Sequence, residues 1–160
     1  MDRHFTVSGF VVHEDKVALH WHRKLNMWLP AGGHIESNED PVQAVLREVS
    51  EEFSVDSEVI RLAPLVNSAG GPIQLDPPFV VQNCVIAPDH EHIDFVYFLR
   101  LLSGYPGRSH DPENPIFWLT ADELTEGSAT TNGSRVAFPP DVQALALEAI
   151  RLAAAQPIRT

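Results

Sequence analysis

The apolar positions change period several times along the chain, and each change marks a different element. From Phe5 to Val12 the chain is dense in β-branched and aromatic residues, and Lys16 to Trp21 repeats that character after His13-Glu14-Asp15. Two strands joined by a turn are predicted there. Met27 to Pro30 reads as a short strand entering a turn at Gly32-Gly33. The period then changes from two to between three and four. Val42, Val45, Leu46, Val49 and Phe53 fall on one side of a helix at about 100° per residue. Its start is signalled by Asp40 as N-cap, Pro41 in the first helical position and Gln43 where a capping-box partner belongs.

Strand character returns at Glu58–Val66, Phe79–Ala87 and His92–Leu102, and again at Pro115–Leu119. Asp122–Glu126 reads as one helical turn. Asp141–Ala155, opened by Pro139-Pro140 and rich in Ala and Leu, reads as a closing helix. The segments Asn67–Pro78, Ser103–Asn114 and Gly127–Pro140 are rich in Gly, Pro, Ser and Asn and read as loops, the first a candidate lid over substrate. No internal repeat is visible. Strands, a helix, more strands and a final helix make an α+β or α/β sandwich the expected class.

Length and charge narrow the picture. With 160 residues, 44% of them hydrophobic and 21% charged, the chain suits one ordered domain over residues 1–160. A net charge of −11 repels phosphate backbones, which argues against a nucleic-acid polymer as partner. A small phosphorylated ligand stays admissible when cations mediate. The single cysteine, Cys84, excludes an intrachain disulfide, and its apolar surroundings predict a buried, inert thiol. Neither a signal peptide nor an apolar run of about 20 residues is seen, so a cytoplasmic protein without a membrane span is expected.

The far side of the first helix carries Glu48, Glu51 and Glu52, three and four residues apart and therefore on one face. Like charges so placed repel each other by a few tenths of a kcal/mol per pair. Arg47 can offset one of them, and a divalent cation is the other remedy, since clustered carboxylates suit Mg²⁺. Alone, three glutamates read better as a solvated acidic face. Their context decides. From Gly33 to Val55 the chain runs GHIESNEDPVQAVLREVSEEFSV, preceded by Trp28-Leu29-Pro30-Ala31-Gly32-Gly33. This 23-residue stretch resembles the signature of the Nudix (MutT-like) hydrolase family, matching it at Gly33, Glu39, Arg47, Glu48, Val49, Glu51, Glu52 and Val55. One position departs: Ser54 stands where the signature has a helix-ending Gly. The runs His90–Phe95 and Ile116–Leu119 also look like family members.

The resemblance implies an α/β/α sandwich with a mixed sheet and a loop–helix–loop motif. In it Glu48, Glu51 and Glu52 bind Mg²⁺ or Mn²⁺, Glu39 pairs with Arg47, and Gly32 and Gly33 let the backbone approach metal and phosphates. It further implies water attack on a diphosphate phosphorus in a nucleoside diphosphate derivative: a nucleotide sugar, a dinucleoside polyphosphate or an (oxidised) nucleoside triphosphate. Relatives of this kind are often homodimers. Glu48 is the first candidate for the base, ahead of Glu113 and Glu91. Two other readings stand beside it. A non-catalytic Nudix-fold module that binds nucleotide would typically have lost box carboxylates, and here all are present. An isomerase of prenyl diphosphates would need Cys84 near the box.

Outside the box, Arg23 and Lys24 are the nearest cations for a phosphate. Asp94, on a mostly apolar strand face, is a candidate for holding a base or reaching the metal. Trp21, Trp28, Tyr97 and Trp118 can stack a base, with core packing the default. His20 and His22 share a strand face, as do His90 and His92. Zinc would need further ligands that spacing alone does not supply, so both pairs read as ordinary strand histidines.

Overall fold

A computed structural model describes residues 1–66, 70–104 and 114–156. Its elements run β1 (Asp2–His13), β2 (Lys16–His22), β3 (Met27–Leu29), β4 (Ala31–His34), α1 (Pro41–Phe53), β5 (Asp56–Val59), β6 (Val80–Ala87), β7 (His90–Ser103), β8 (Ile116–Thr120), α2 (Ala121–Thr125), β9 (Ser128–Thr131), β10 (Ser134–Ala137) and α3 (Pro140–Ala155). The first eight strands form one mixed sheet whose backbone is the order β3-β2-β1-β7-β5, and β9 and β10 form a separate hairpin. β1 and β7 lie parallel at the centre, His4 opposite His92 and Val12 opposite Arg100. The free edge of β1 is shared: β4 takes Thr6 to Gly9, and β2 takes Val12 and His13. β6 and β5 divide the far edge of β7 in the same way.

Alternation along β1 and β7 gives the sheet two apolar faces. Val7, Val11, Tyr97 and Leu99 pack with Ala44, Val45, Val49 and Phe53 of α1. Phe10, Val12, Val96 and Phe98 pack with Val142, Ala146, Ala149 and Ile150 of α3. The result is helix, sheet, helix, as the family resemblance implies. α1 begins with a capping box in which the Asp40 carboxylate accepts from the Val42 and Gln43 amides, both at 2.9 Å, and Gln43 closes back on Asp40. No helix among the described residues is long and apolar enough to cross a membrane.

Several expectations need correction. Gly32-Gly33 is not a turn; both residues are extended in β4, paired with Ser8 and Val7. Glu58–Val66 holds only the end of β5. After Val59 the ladder stops, and Ile60 keeps one backbone bond to Phe98 O (2.8 Å) while packing into the α3-side core. Gly127–Pro140 contains the β9–β10 hairpin, turned at Asn132 (φ 49°) and Gly133 (φ 77°). Asn-Gly is the favoured pair for such a two-residue turn. β6 is an edge strand, and Val81, Val85 and Ile86 are exposed. Cys84 within it is half-buried rather than buried; partial burial and then the charges of Asp94 and Asp141 push its thiol up, which keeps it protonated and unreactive. Trp21, Trp28 and Tyr97 are core residues, and the Trp28 Nε1–H donates to Val136 O at 3.2 Å. The described part of the 67–78 loop is tied back by Arg61 to Asp76 (2.5 Å) and by Gln74 to the Val66 backbone; residues 67–69 lie outside the described residues.

α1 ends at Ser54, whose φ of 55° and ψ of 39° are left-handed while its amide still reaches Ser50 O at 3.0 Å. The turn that Gly usually makes is therefore made by a residue with a Cβ. Ser54→Gly is expected to raise stability by up to about 1 kcal/mol. Urea denaturation of the pair checks this, and an unchanged or lower midpoint would show that Ser54 is not strained.

Candidate active site

The polar side of α1 faces the two glycines of β4. Arg47, at the centre, is clamped to the loop before the helix. Its Nε donates to Glu39 Oε1 (2.6 Å) and its Nη2 to Glu39 Oε2 (3.0 Å), a two-point fork. Nη2 also reaches the His34 carbonyl at 3.2 Å, which fixes the end of β4. Nη1 donates to Glu48 Oε1 (2.7 Å) and Glu51 Oε2 (3.3 Å). The bonds from Arg47, with a smaller contribution from the Glu36 amide, hold the Glu39 carboxyl below the usual range. In return Glu39 and then Glu48 push Arg47 further above an already high value. Arg47 is thus a fixed cation serving three carboxylates and one backbone carbonyl.

Glu52 is not among them. Its Oε2 accepts the Gly32 amide at 2.9 Å. Burial pushes its carboxyl up to about 7, with the charges of Glu48 and Glu51 adding and the Gly32 amide opposing. Glu48 lies directly over Gly33: a Cβ there would stand 2.3 Å from Glu48 Oε1 and 2.6 Å from its Cδ. The Glu51 side chain is the outermost, 62% exposed. Three carboxylates within one helical turn, offset by one guanidinium, form an oxygen donor set of the kind hard dications take. The missing side chain at Gly33 leaves room for the Glu48 carboxylate against β4. By its chemistry this oxygen-only donor set suits a divalent cation.

The other sequence candidates fall elsewhere. Arg23 and Lys24 are exposed in the turn 23–26 between β2 and β3. Asp94 is buried, accepting from Thr6 Oγ1 (2.9 Å) and Gln82 Nε2 (3.2 Å). By alternation with Phe95 and Tyr97 it lies on the α3 side of the sheet, away from the glutamates. Glu91 is also buried; Asn83 and Arg3 bond it and hold its carboxyl below the usual range, which makes it a weaker proton acceptor. Glu113 lies outside the described residues. His20 is buried with its ring edge-on to Phe53. The site's link from Glu52 to the Gly32 amide was not legible in sequence, since the signature names both residues but not their bond.

A family model described as the NUDIX domain matches residues 2–138. A NUDIX-family hydrolase from Clostridium perfringens superposes with a TM-score of 0.78 at 32% identity, covering 95% of this chain and 99% of that one. A MutT NUDIX hydrolase from Burkholderia pseudomallei gives 0.61 at 18% identity over 92% and 98% of the two chains. An ADP-ribose pyrophosphatase from Streptococcus suis gives 0.53 at 16% identity over 98% and 94%. No curated protein sequence gives a match.

Proposed function

Because the chain belongs to the Nudix hydrolase family, we propose that it cleaves the diphosphate linkage of a nucleoside diphosphate derivative with Mg²⁺ or Mn²⁺ held by Glu48, Glu51 and Glu52. The observation that carries this reading is Glu52: a half-buried carboxylate beside two others, held by a backbone amide and left unneutralised by Arg47. Such an arrangement is costly in an empty helix face and is relieved by a dication.

When bound, divalent cations neutralise charge developing on phosphate oxygens and make water more acidic. The rest falls to the chain. Arg47 and Glu39 lock the entry loop to the helix, so Glu48 and the Gly32-Gly33 backbone keep one spacing. Glu48 acts as base: Arg47 holds its Oε1, which leaves Oε2 to take the proton from the attacking water. Gly33, without a side chain, lets the Glu48 carboxylate lie against β4, and the Gly32 amide holds Glu52.

The test is a panel of nucleotide sugars, dinucleoside polyphosphates and canonical and oxidised nucleoside triphosphates, with products identified by mass spectrometry. Metal-dependent release of a nucleoside phosphate from one class is expected, and that class names the substrate. Nucleotide binding with no turnover in Mg²⁺ or Mn²⁺ would overturn the catalytic reading.

A further inference from the structure

The strand pairing collects four histidines that are far apart in sequence. Parallel pairing of β1 with β7 sets His4 opposite His92, and β4 lies on the other edge of β1 with His34 opposite Thr6. His90 and His92 share one strand face, and their Nε2 atoms are 3.0 Å apart. The His4 ring is 4.8 Å from that of His90, 5.7 Å from that of His92 and 5.0 Å from that of His34. One ring nitrogen from each of His4, His90 and His92 lies within 4.8 Å of the others. All three rings are half-buried. The further ligand missing from the sequence view of His90 and His92 comes from β1.

We propose that His4, His90 and His92 bind one late first-row transition-metal dication, Zn²⁺ fitting best, at a site distinct from the glutamates. Three imidazoles at this spacing need only small rotations to bring nitrogens to about 2.0–2.1 Å from one ion. Nitrogen donors select Zn²⁺-class ions over Mg²⁺, while the oxygen-only glutamate set does the reverse. His4 is also held from outside. Its Nδ1 is 3.0 Å from His34 Nε2 and its Nε2 is 3.1 Å from Asp2 Oδ1. Whichever nitrogen takes the metal, the other already has a polar partner to orient the ring. Three protein ligands leave a fourth position open to water or an anionic oxygen.

The two sites are back to back across β4. Gly33 faces Glu48 on the α1 side, and His34, the next residue, faces His4 and His92 on the other. They are nevertheless chemically separable, and the test uses that. Tag-free full-length protein is stripped with chelator and dialysed against Zn²⁺ or Co²⁺ in excess Mg²⁺. Bound metal is counted by mass spectrometry, and Co²⁺ geometry is read from visible absorption. One equivalent is expected in the native protein and in Glu52→Gln. His92→Ala is expected to weaken binding by more than about 100-fold, beyond the loss typical of an outer partner. His4→Ala, at the half-exposed end of β1, decides the matter if His92→Ala fails to fold by circular dichroism. No stoichiometric binding in the native protein would overturn the proposal. So would binding that survives both histidine variants or disappears with Glu52→Gln.

Discussion

Glu52→Gln is expected to cut turnover sharply and, in the absence of metal at pH 8, to make the protein more stable. The two effects have one cause. Burial, together with the charges of Glu48 and Glu51, lifts the Glu52 carboxyl from an ordinary 4.5 to about 7, against the pull of the Gly32 amide. The folded protein therefore binds this proton more tightly than the unfolded chain. The stability linked to it is fully present below about 4.5 and is lost as pH rises through about 7. At pH 8 the ionised side chain costs the metal-free fold roughly 3 kcal/mol. Gln mimics the protonated form, keeps an oxygen for the Gly32 amide and escapes that cost.

The gain in the variant should shrink towards pH 5, where native Glu52 is itself protonated. Comparing the two proteins isolates this group from Glu39 and Glu91, whose lowered values act with the opposite sign as pH falls. Urea denaturation in chelator at pH 5 and pH 8 reads the difference. Saturating Mg²⁺ should reverse the order at pH 8, because a dication stabilises only the protein that retains the carboxylate. The catalytic loss should be about 10²- to 10⁴-fold in kcat, the equivalent of several kcal/mol of charge stabilisation. A variant less stable than the native protein at pH 8 in chelator would show that Glu52 is not a strained ligand.

What could be read from the chain divides along the range of the interactions. α1, its cap at Asp40 and its two faces follow from residues within one or two turns of each other, and they stand as the sequence pattern places them. The clamp of Arg47 on Glu39 is also short-range, eight residues apart, and the signature names both partners. Pairing across the sheet is different. Nothing near His4 announces that it will lie beside His90 and His92, because the parallel β1–β7 ladder, not local spacing, brings them together. The Asn132-Gly133 hairpin fell in a stretch read as a loop, because its strands carry Ser, Thr and Ala rather than a strong apolar alternation. Phe79–Ala87 shows the converse: apolar character marked a strand correctly but did not reveal that it lies at an edge with several of its side chains in solvent.

Gly32 and Gly33 show the same ambiguity at closer range, and it yields the sharpest contrast among the variants. Two adjacent glycines suggest a turn, but here both are extended, so space rather than backbone freedom explains them. The space differs. At Gly32 an added Cβ would meet the Val7 carbonyl oxygen at 2.3 Å and Ser8 Cα at 3.3 Å, both backbone atoms of the paired strand. Gly32→Ala must push β4 away from β1 and should cost about 1–3 kcal/mol or more, with loss of the amide that holds Glu52. At Gly33 the three atoms nearest the added Cβ all belong to the end of the Glu48 side chain, at 2.3–2.9 Å. That side chain can rotate aside. Gly33→Ala should therefore fold with a stability change below about 1 kcal/mol, while displacement of Glu48 by an ångström or so lowers kcat by roughly 100-fold and weakens Mn²⁺ binding. Denaturation midpoints and Mn²⁺ titrations on both variants separate the cases. Equal destabilisation would mean that Gly33 also serves the backbone, and full activity in Gly33→Ala would remove Glu48 from the site.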